Sequence, residues 1–275
     1  MRAGILSSLI CLVSLSTAKA NNLIPKSFHR HQQQSGPERR DVTQRLSYLW
    51  SGGEVYGSRM ASVSAEMIIP NITFPHGYNA SATYSSSVWV GIGGDQNMCD
   101  NPERVNNGGL IQGGFYYMYD PQGDHGVFAF YEWFPLDPVF LDDTHGILTD
   151  IGDHVRMSVS QKNNITGTYT WENFTKNKKF SIDLKAPVNG TLCTNHAEWI
   201  VESFLTQSDP FLFPDFGQLT FTKAKAITEK NEVAPLSNGK LITAQPVLHG
   251  HNLTKCNFIQ PDGVTCKWNG FETRT

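Results

Sequence analysis

Residues 197–202 read A-E-W-I-V-E, and this stretch indicates how the chain folds. Half of its residues are β-branched or aromatic, and no proline or glycine interrupts it. Successive side chains of a strand point to opposite faces of the sheet. Glu198 and Glu202 therefore share one face and Trp199 lies on the other, so the stretch predicts a strand that presents two carboxylates on one side.

Similar short β-branched or aromatic runs recur along the chain. They are residues 62–69, 87–92, 114–119, 127–134, 154–160, 166–171, 179–184, 198–204 and 217–222. Clusters of Gly, Asn, Asp and Pro separate the runs, as in all-β sandwiches. No heptad pattern, internal repeat or amphipathic helix competes with this interpretation. We therefore predict an all-β fold, a sandwich of two packed antiparallel sheets.

The first 40 residues are expected to lie outside this fold. Residues 1–20 combine a basic start, an apolar run and a final Ala-Lys-Ala, which is typical of a secretory signal peptide. Residues 21–40 are basic and end in a dibasic Arg-Arg, so we interpret them as an inhibitory propeptide, with a disordered tail as the plainer alternative. A single domain is predicted over residues 48–271, secreted to the extracellular space and without a membrane segment.

The charge balance limits the partners of the mature protein. Residues 1–40 carry six Lys or Arg and one Glu, so their removal moves the formal net charge from −3 to −8. An acidic protein has little with which to neutralise phosphates, which argues against nucleic acid as a partner. We expect a monomer, a state that no sequence pattern tests.

The cysteines fit an oxidising compartment. Cys11 would leave with the signal peptide, and the four that remain would form two disulfides. Cys256 and Cys266 flank the turn Gln-Pro-Asp-Gly at residues 260–263 and are expected to close a hairpin. Cys99 and Cys193 would form the remaining pair, between the loops that precede residues 112 and 198.

Six Asn-X-Ser/Thr sequons predict glycosylated surface turns. They begin at Asn71, Asn79, Asn164, Asn173, Asn189 and Asn252.

Three further motifs stand upstream of residues 197–202 in a fixed order. They read W-V-G-I-G-G-D at 89–95, G-L-I-Q-G-G at 109–114 and Y-E-W-F-P at 131–135, and F-P-D-F-G follows downstream at 213–217. This ordered set resembles the glutamic peptidases called eqolisins. The resemblance implies a sandwich of two curved sheets, a catalytic pair formed by Gln112 and Glu198, the disulfide between Cys99 and Cys193, and an inhibitory propeptide.

The resemblance also implies a set of cleft-lining residues. Trp89, Tyr131, Glu132 and Trp133 would contact the side chains of a peptide substrate. The alternative for the two tryptophans is a place in the core between the sheets. Glu202 is added as a substrate-binding candidate because it shares the strand face of Glu198.

The Gln–Glu pair suits hydrolysis of peptide bonds in acid. Glu198 would take a proton from a bound water and return it to the leaving nitrogen, with no covalent intermediate. Gln112 would donate a hydrogen bond to the developing oxyanion. A free Glu has a pKa near 4.3 and is partly ionised at about pH 4, where a His base would be protonated. Protein or peptide substrates are the expected partners.

Other hydrolytic signatures are absent from the sequence. There is no Gly-X-Ser-X-Gly, no His-Glu-X-X-His, and no Asp-Thr-Gly or Asp-Ser-Gly. The histidines show no convincing ligand spacing, so we predict no metal and no cofactor.

The chain departs from the eqolisin pattern at two positions near the expected site. Gly93 stands where the family commonly has Asp, and Gly113 stands where Thr is usual. We expect these changes to remove polar groups around Gln112 and to affect subsite preference. The hairpin at residues 256–266 is interpreted as an addition to the family pattern.

Two other functions remain open at the level of the sequence. A sandwich-fold glycoside hydrolase would use two carboxylates such as Glu132 and Glu198, with a separation that depends on the stereochemical outcome. A secreted lectin-like module would stack Trp89 and Trp133 on sugars. The first predicts sugar cleavage that survives Gln112→Ala, and the second predicts binding that survives Glu198→Gln.

Overall fold

The computed structural model describes residues 44–47, 49–57, 59–75, 81–94, 108–119, 125–188, 190–203, 213–245 and 252–270. This part of the chain forms sixteen strands and two short 3-10 turns. The first eight strands are β1 (Gln44–Ser47), β2 (Trp50–Tyr56), β3 (Met60–Ile68), β4 (Tyr84–Gly93), β5 (Gly108–Tyr119), β6 (His125–Phe134), β7 (Val139–Leu141) and β8 (His154–Asn163). The others are β9 (Thr166–Asn173), β10 (Lys178–Lys185), β11 (Thr191–Leu192), β12 (His196–Ser203), β13 (Gln218–Thr228), β14 (Lys240–Ala244), β15 (Thr254–Ile259) and β16 (Gly263–Trp268).

The strands form two sheets, which confirms the predicted all-β sandwich. In the first sheet the order is β1-β14-β2-β12-β4-β5-β6-β7, with β11 joined to β5. In the second sheet it is β10-β9-β8-β3-β13-β16-β15. Two short pairings, β1 with β14 and β11 with β5, are parallel, and the other named pairings are antiparallel.

The core between the sheets is built by alternate residues of each strand. Trp199 is fully buried in this core, and its Nε1–H donates to the carbonyl oxygen of Ser64 on β3 over 3.0 Å. The ring of Tyr169, from β9, fills the space opposite Gly113 of β5. Apolar side chains on alternate positions of both sheets thus hold the two layers together.

A second apolar cluster lies on the other face of the first sheet. It contains Leu49, Trp50, Trp89, Leu110, Tyr116, Met118, Phe130, Ile200 and Ile242. Because Ile200 is one residue from Trp199, the strand alternation places it on the face turned away from the second sheet. We call this face, which also carries Glu198, the site face.

The C-terminal hairpin is part of the second sheet. Cys256 on β15 and Cys266 on β16 are direct partners and form the predicted disulfide. β16 pairs with β13, so the hairpin extends the sheet and is not a separate appendage. Cys193 is also disulfide-bonded, and its predicted partner Cys99 lies outside the described residues.

The predictions for the N-terminal segments lie outside the described residues, since the described part of the chain begins at β1. β1 begins at Gln44, before the predicted domain start at residue 48, and it pairs with β14 of the first sheet. Within the described ranges, no helix is long and apolar enough to cross a membrane. The same ranges hold no group of three or more His, Cys, Asp or Glu side chains arranged to bind a metal.

The predicted glycosylation sites differ in exposure. Asn71 and Asn252 are exposed, and Asn164 is half-buried in the turn between β8 and β9. Asn173 is 1% exposed, and its Nδ2 donates to Asp153 Oδ2 over 2.7 Å. That nitrogen is the atom to which a glycan would attach, so its placement argues against glycosylation at Asn173. Asn79 and Asn189 lie outside the described residues.

Candidate active site

Gln112 and Glu198 lie on either side of a single glycine. Gly91 of β4 is the direct partner of Glu198 on β12 and of Gln112 on β5. The two strands are therefore not neighbours, because β4 lies between them. Residues directly opposite one another project to the same face, so both side chains stand on the site face. Two strand spacings separate their Cα atoms by about 9–10 Å.

Gly91 places no side chain of its own between Gln112 and Glu198. A Cβ atom at this position would lie 2.9 Å from both Leu110 Cδ1 and Trp89 Cζ3. Any side chain on Gly91 would also project between Gln112 and Glu198. With glycine at this position, Leu110 and Trp89 pack closely over β4 and no residue of β4 stands between the amide and the carboxylate.

Two further carboxylates extend this row across the sheet. Glu132 of β6 is the direct partner of Gln112, and Glu54 of β2 is the direct partner of Glu198. The Nε2–H of Gln112 donates to Glu132 Oε2 over 2.6 Å. This bond fixes one N–H of the amide, which leaves a second N–H and Oε1 for other partners.

The row is buried. Gln112, Glu198 and Glu54 are 0% exposed and Glu132 is 5% exposed. The pair itself is therefore closed to solvent. Buried polar groups of this kind interact strongly, because little water screens them.

Trp89 and Glu202 also lie on the site face. Trp89 is two residues from Gly91 on β4, and Glu202 is four residues from Glu198 on β12. The Nε1–H of Trp89 donates to Glu202 Oε2 over 2.9 Å. Trp50, which is the direct partner of Glu202 on β2, meets the Trp89 ring edge-to-face at a centroid distance of 5.0 Å. Both Trp89 and Glu202 are buried, and they pack on the site face beside the Gln112–Glu198 pair.

Tyr131 and Trp133 are not brought together with the pair. They flank Glu132 on β6, and the alternation that places Glu132 on the site face turns them toward the second sheet. Tyr131 stacks on Phe180 of β10 at a centroid distance of 6.0 Å. Trp133 is 2% exposed and belongs to the core between the sheets. The interpretation of Trp133 as a core residue therefore fits its placement, and a cleft-lining role for these two residues does not.

The two glycines that depart from the eqolisin pattern have packing reasons. Gly113 faces the second sheet, where a Cβ atom would overlap the Tyr169 ring. It is therefore on the opposite side of β5 from Gln112, and a polar side chain there would not support the amide. Gly93 has a φ of 95°, a conformation that favours glycine. Its carbonyl oxygen accepts a hydrogen bond from His196 Nε2 over 2.9 Å.

Sequence reasoning missed Glu54 and its partner Arg45. Arg45 of β1 donates from Nη2 to Glu54 Oε2 over 3.2 Å. Glu54 lies in W-S-G-G-E-V-Y, where two glycines weaken the strand pattern. Alternation from Trp50 would place Glu54 on the same face as Trp50, but only the sheet order sets it beside Glu198.

Solved structures of glutamic peptidases resemble this fold. Scytalido-glutamic peptidase with a transition-state analogue inhibitor matches with a TM-score of 0.65 and 26% identity, covering 80% of this chain and 98% of that chain. Aspergilloglutamic peptidase from Aspergillus niger matches with a TM-score of 0.56 and 29% identity, covering 67% of this chain and 99% of that chain. The fold is that of the glutamic peptidases.

Sequence relatives define the family. The description "Peptidase A4 family" applies to the family model that matches residues 48–268. Aspergillopepsin-2 of Aspergillus niger is 30% identical over 208 residues, covering 70% of this chain and 69% of the relative. Scytalidopepsin B of Scytalidium lignicola is 27% identical over 225 residues, covering 80% and 77%. The chain belongs to the peptidase A4 family, the eqolisins, and is a glutamic-type endopeptidase. This membership sets aside the glycoside hydrolase and the lectin-like module.

Proposed function

We propose that this protein is a secreted acid endopeptidase in which Glu198 activates water and Gln112 stabilises the oxyanion. The observation that carries the proposal is the shared partner, Gly91, which sets both side chains at one level of the site face. A water molecule and a scissile carbonyl group would bind between the Gln112 amide and the Glu198 carboxylate.

Glu198 would act as general base and then as general acid. Its carboxylate would take a proton from the water as the oxygen attacks the carbonyl carbon. The protonated carboxyl would then give that proton to the leaving nitrogen as the C–N bond breaks. Because water is the nucleophile, no covalent bond forms between the enzyme and the substrate.

Gln112 would stabilise the tetrahedral intermediate. Its amide is neutral at any acid pH, so its capacity to donate does not depend on protonation. Glu132 accepts one of its N–H groups over 2.6 Å, which orients the amide and directs the rest of it away from β6. A preorganised donor of this kind costs no reorientation when charge develops.

The burial of the pair sets a condition on substrate binding. Gln112 and Glu198 are 0% exposed, so a peptide can reach them only after the site face opens. A solved relative, SCP-B of the eqolisin family, is described in a complex with the tripeptide Ala-Ile-His. We expect peptide substrates here too, and we expect the basic residues 21–40 to act as an inhibitor of the acidic mature monomer until their removal.

The test is hydrolysis of an unfolded protein at about pH 3.5, where a carboxylate base is partly ionised. The processed parent, Glu198→Gln and Gln112→Ala would be compared with pepstatin present, which silences pepsin-like contaminants. Glu172→Gln is the matched control, because Glu172 lies on the second sheet and pairs with Arg156 and Lys179. We expect the parent and the control to cleave and both site variants to lose activity. Equal activity in all four proteins would overturn the proposal.

A further inference from the structure

Glu54 is a second buried carboxylate directly beside Glu198. The two residues are direct partners between β2 and β12, and both are 0% exposed. Directly opposite residues have Cβ atoms about 4.5–5.5 Å apart. At that separation each carboxyl group senses the charge of the other. The reaction proposed above gives Glu54 no role.

Arg45 supplies the charge that holds Glu54. Its Nη2 donates to Glu54 Oε2 over 3.2 Å, and its side chain is 19% exposed. Arg45 stands on β1, the edge strand, so its side chain crosses β14 to reach β2. An arginine stays protonated at any pH at which the protein folds. The ion pair therefore favours the anionic form of Glu54.

We propose that Glu54, anchored by Arg45, is a positioning residue whose fixed negative charge opposes ionisation of Glu198. This inference rests on the proposed function, in which Glu198 must both accept and return a proton. A carboxyl group that ionises too readily is a poor acid in the second step. The neighbouring charge keeps Glu198 able to carry the proton until the leaving nitrogen takes it.

Other ionisable groups also face this row in the described part of the chain. They are Lys240 on β14, Tyr56 on β2, His196 and Glu202 on β12, Tyr116 on β5 and Glu132 on β6. Lys240 Nζ lies 5.0 Å from the centroid of the Tyr56 ring, and burial raises the pKa of Tyr116 to about 12. β4 contributes no acidic or basic side chain. All of these groups remain in a Glu54→Gln variant, so a change in the titration midpoint of Glu198 reports the lost charge of Glu54.

The experiment measures Glu198 directly as well as catalysis. Carbon-13 carboxyl NMR would follow the titration of Glu198 in the full chain, with its resonance assigned from Glu198→Gln. We expect Glu54→Gln to lower the titration midpoint of Glu198 by about one pH unit. The acid limb of kcat/KM should shift in the same direction by a similar amount, while Glu172→Gln leaves both readouts unchanged.

A folded Glu54→Gln variant, as judged by its thermal melt, with an unmoved or raised Glu198 midpoint would overturn the inference. If that variant does not fold, Arg45→Met combined with Glu54→Met replaces the ion pair with apolar side chains, an exchange that proteins often tolerate. The double variant should show a smaller shift in the same direction, and no shift would again overturn the inference. Loss of the proposed function is read separately, as a parent that does not cleave protein or as activity that survives Glu198→Gln. In either case the NMR midpoint still decides whether the charge of Glu54 opposes ionisation of Glu198.

Discussion

The side-chain amide of Gln112 donates to Glu132 Oε2 over 2.6 Å, between direct partners on β5 and β6. This contact links the expected oxyanion donor to a carboxylate that is only 5% exposed. The amide is thus held from one side by β6. Glu132 has a clear role in this arrangement, although it does not touch the reacting atoms in the proposed mechanism.

Substitution of Glu132 should therefore impair catalysis more than substrate binding. In Glu132→Leu the Gln112 amide loses its acceptor and can rotate. A hydrogen bond contributes about 0.5–3 kcal/mol, with the upper end for an ionised acceptor, so we expect a loss of roughly 2–100-fold in kcat. Steady-state kinetics at about pH 3.5 would measure it. A change confined to KM would show that Glu132 contacts substrate and does not orient Gln112.

A side chain at Gly91 should separate Gln112 from Glu198. The Cβ of Gly91→Ala would lie 2.9 Å from Leu110 Cδ1 and Trp89 Cζ3, and such overpacking costs about 1–3 kcal/mol of stability. We expect Gly91→Ala to be less active than the parent even at temperatures at which the variant is folded. Gly57→Ala is the matched control, because its Cβ would meet only Met60 Cε at 3.6 Å. Full activity in a folded Gly91→Ala variant would contradict the assigned position of the substrate.

Glu66 on β3 should stabilise the fold in acid. Burial alone would raise its pKa, but hydrogen bonds from Lys223, Arg156 and His154 and the charge of Arg156 lower it from 4.5 to about 2. The stabilisation is therefore fully present above pH 4.5 and is lost as the pH falls through about 2. It amounts to roughly 1–3 kcal/mol, once the exposure of its basic partners is taken into account.

Urea unfolding of the parent and of Glu66→Gln between pH 2 and 7 would test this stabilisation. The difference in free energy of unfolding should be largest at pH 5–7 and should shrink toward pH 2. Glu229→Gln is a suitable control, since the ion pair of Glu229 with Arg59 is about half exposed on both sides and should contribute little. A difference that grows on acidification would have the wrong sign for an ionised Glu66.

The hairpin disulfide should affect stability and leave the site unchanged. Cys256 and Cys266 are separated by ten positions, and closing a loop of that size stabilises a fold by about 3 kcal/mol in the chain-entropy account. The double variant Cys256→Ala with Cys266→Ala should melt at a lower temperature and retain kcat/KM below its melting temperature. A loss of kcat/KM below the melting temperature of the double variant would show that the hairpin disulfide affects the site face.

Only some of the six sequons should carry glycans. Peptide mapping of the protein expressed through the secretory pathway of a host cell should find glycans at Asn71 and Asn252, which are exposed, and an unmodified Asn173. Asn173→Gln should destabilise the protein without changing its glycan mass, because Asn173 bonds Asp153 and the backbone nitrogen of Lys176. A glycan on Asn173 would show that modification precedes the folding of this segment.

Much of the sandwich follows from local patterns. The runs predicted at 62–69, 154–160 and 166–171 correspond to β3, β8 and β9, where apolar and polar residues alternate. β2 was missed because its two glycines weaken the β-branched pattern by which strands are recognised. Tyr131 and Trp133 were grouped with Glu132, although the period of two residues already separates them between the two faces of β6.

That Glu198 and Glu202 share a strand face follows from the amino-acid sequence alone, because side-chain direction along a strand depends only on local alternation. The resemblance of the ordered motifs to the eqolisins also implied a pair of an amide and a carboxylate. The position of β4 between β5 and β12, the common partner Gly91 and the place of Glu54 beside Glu198 became evident only in the fold. Strand order and register depend on contacts between distant segments, and a local pattern does not specify which segments will meet.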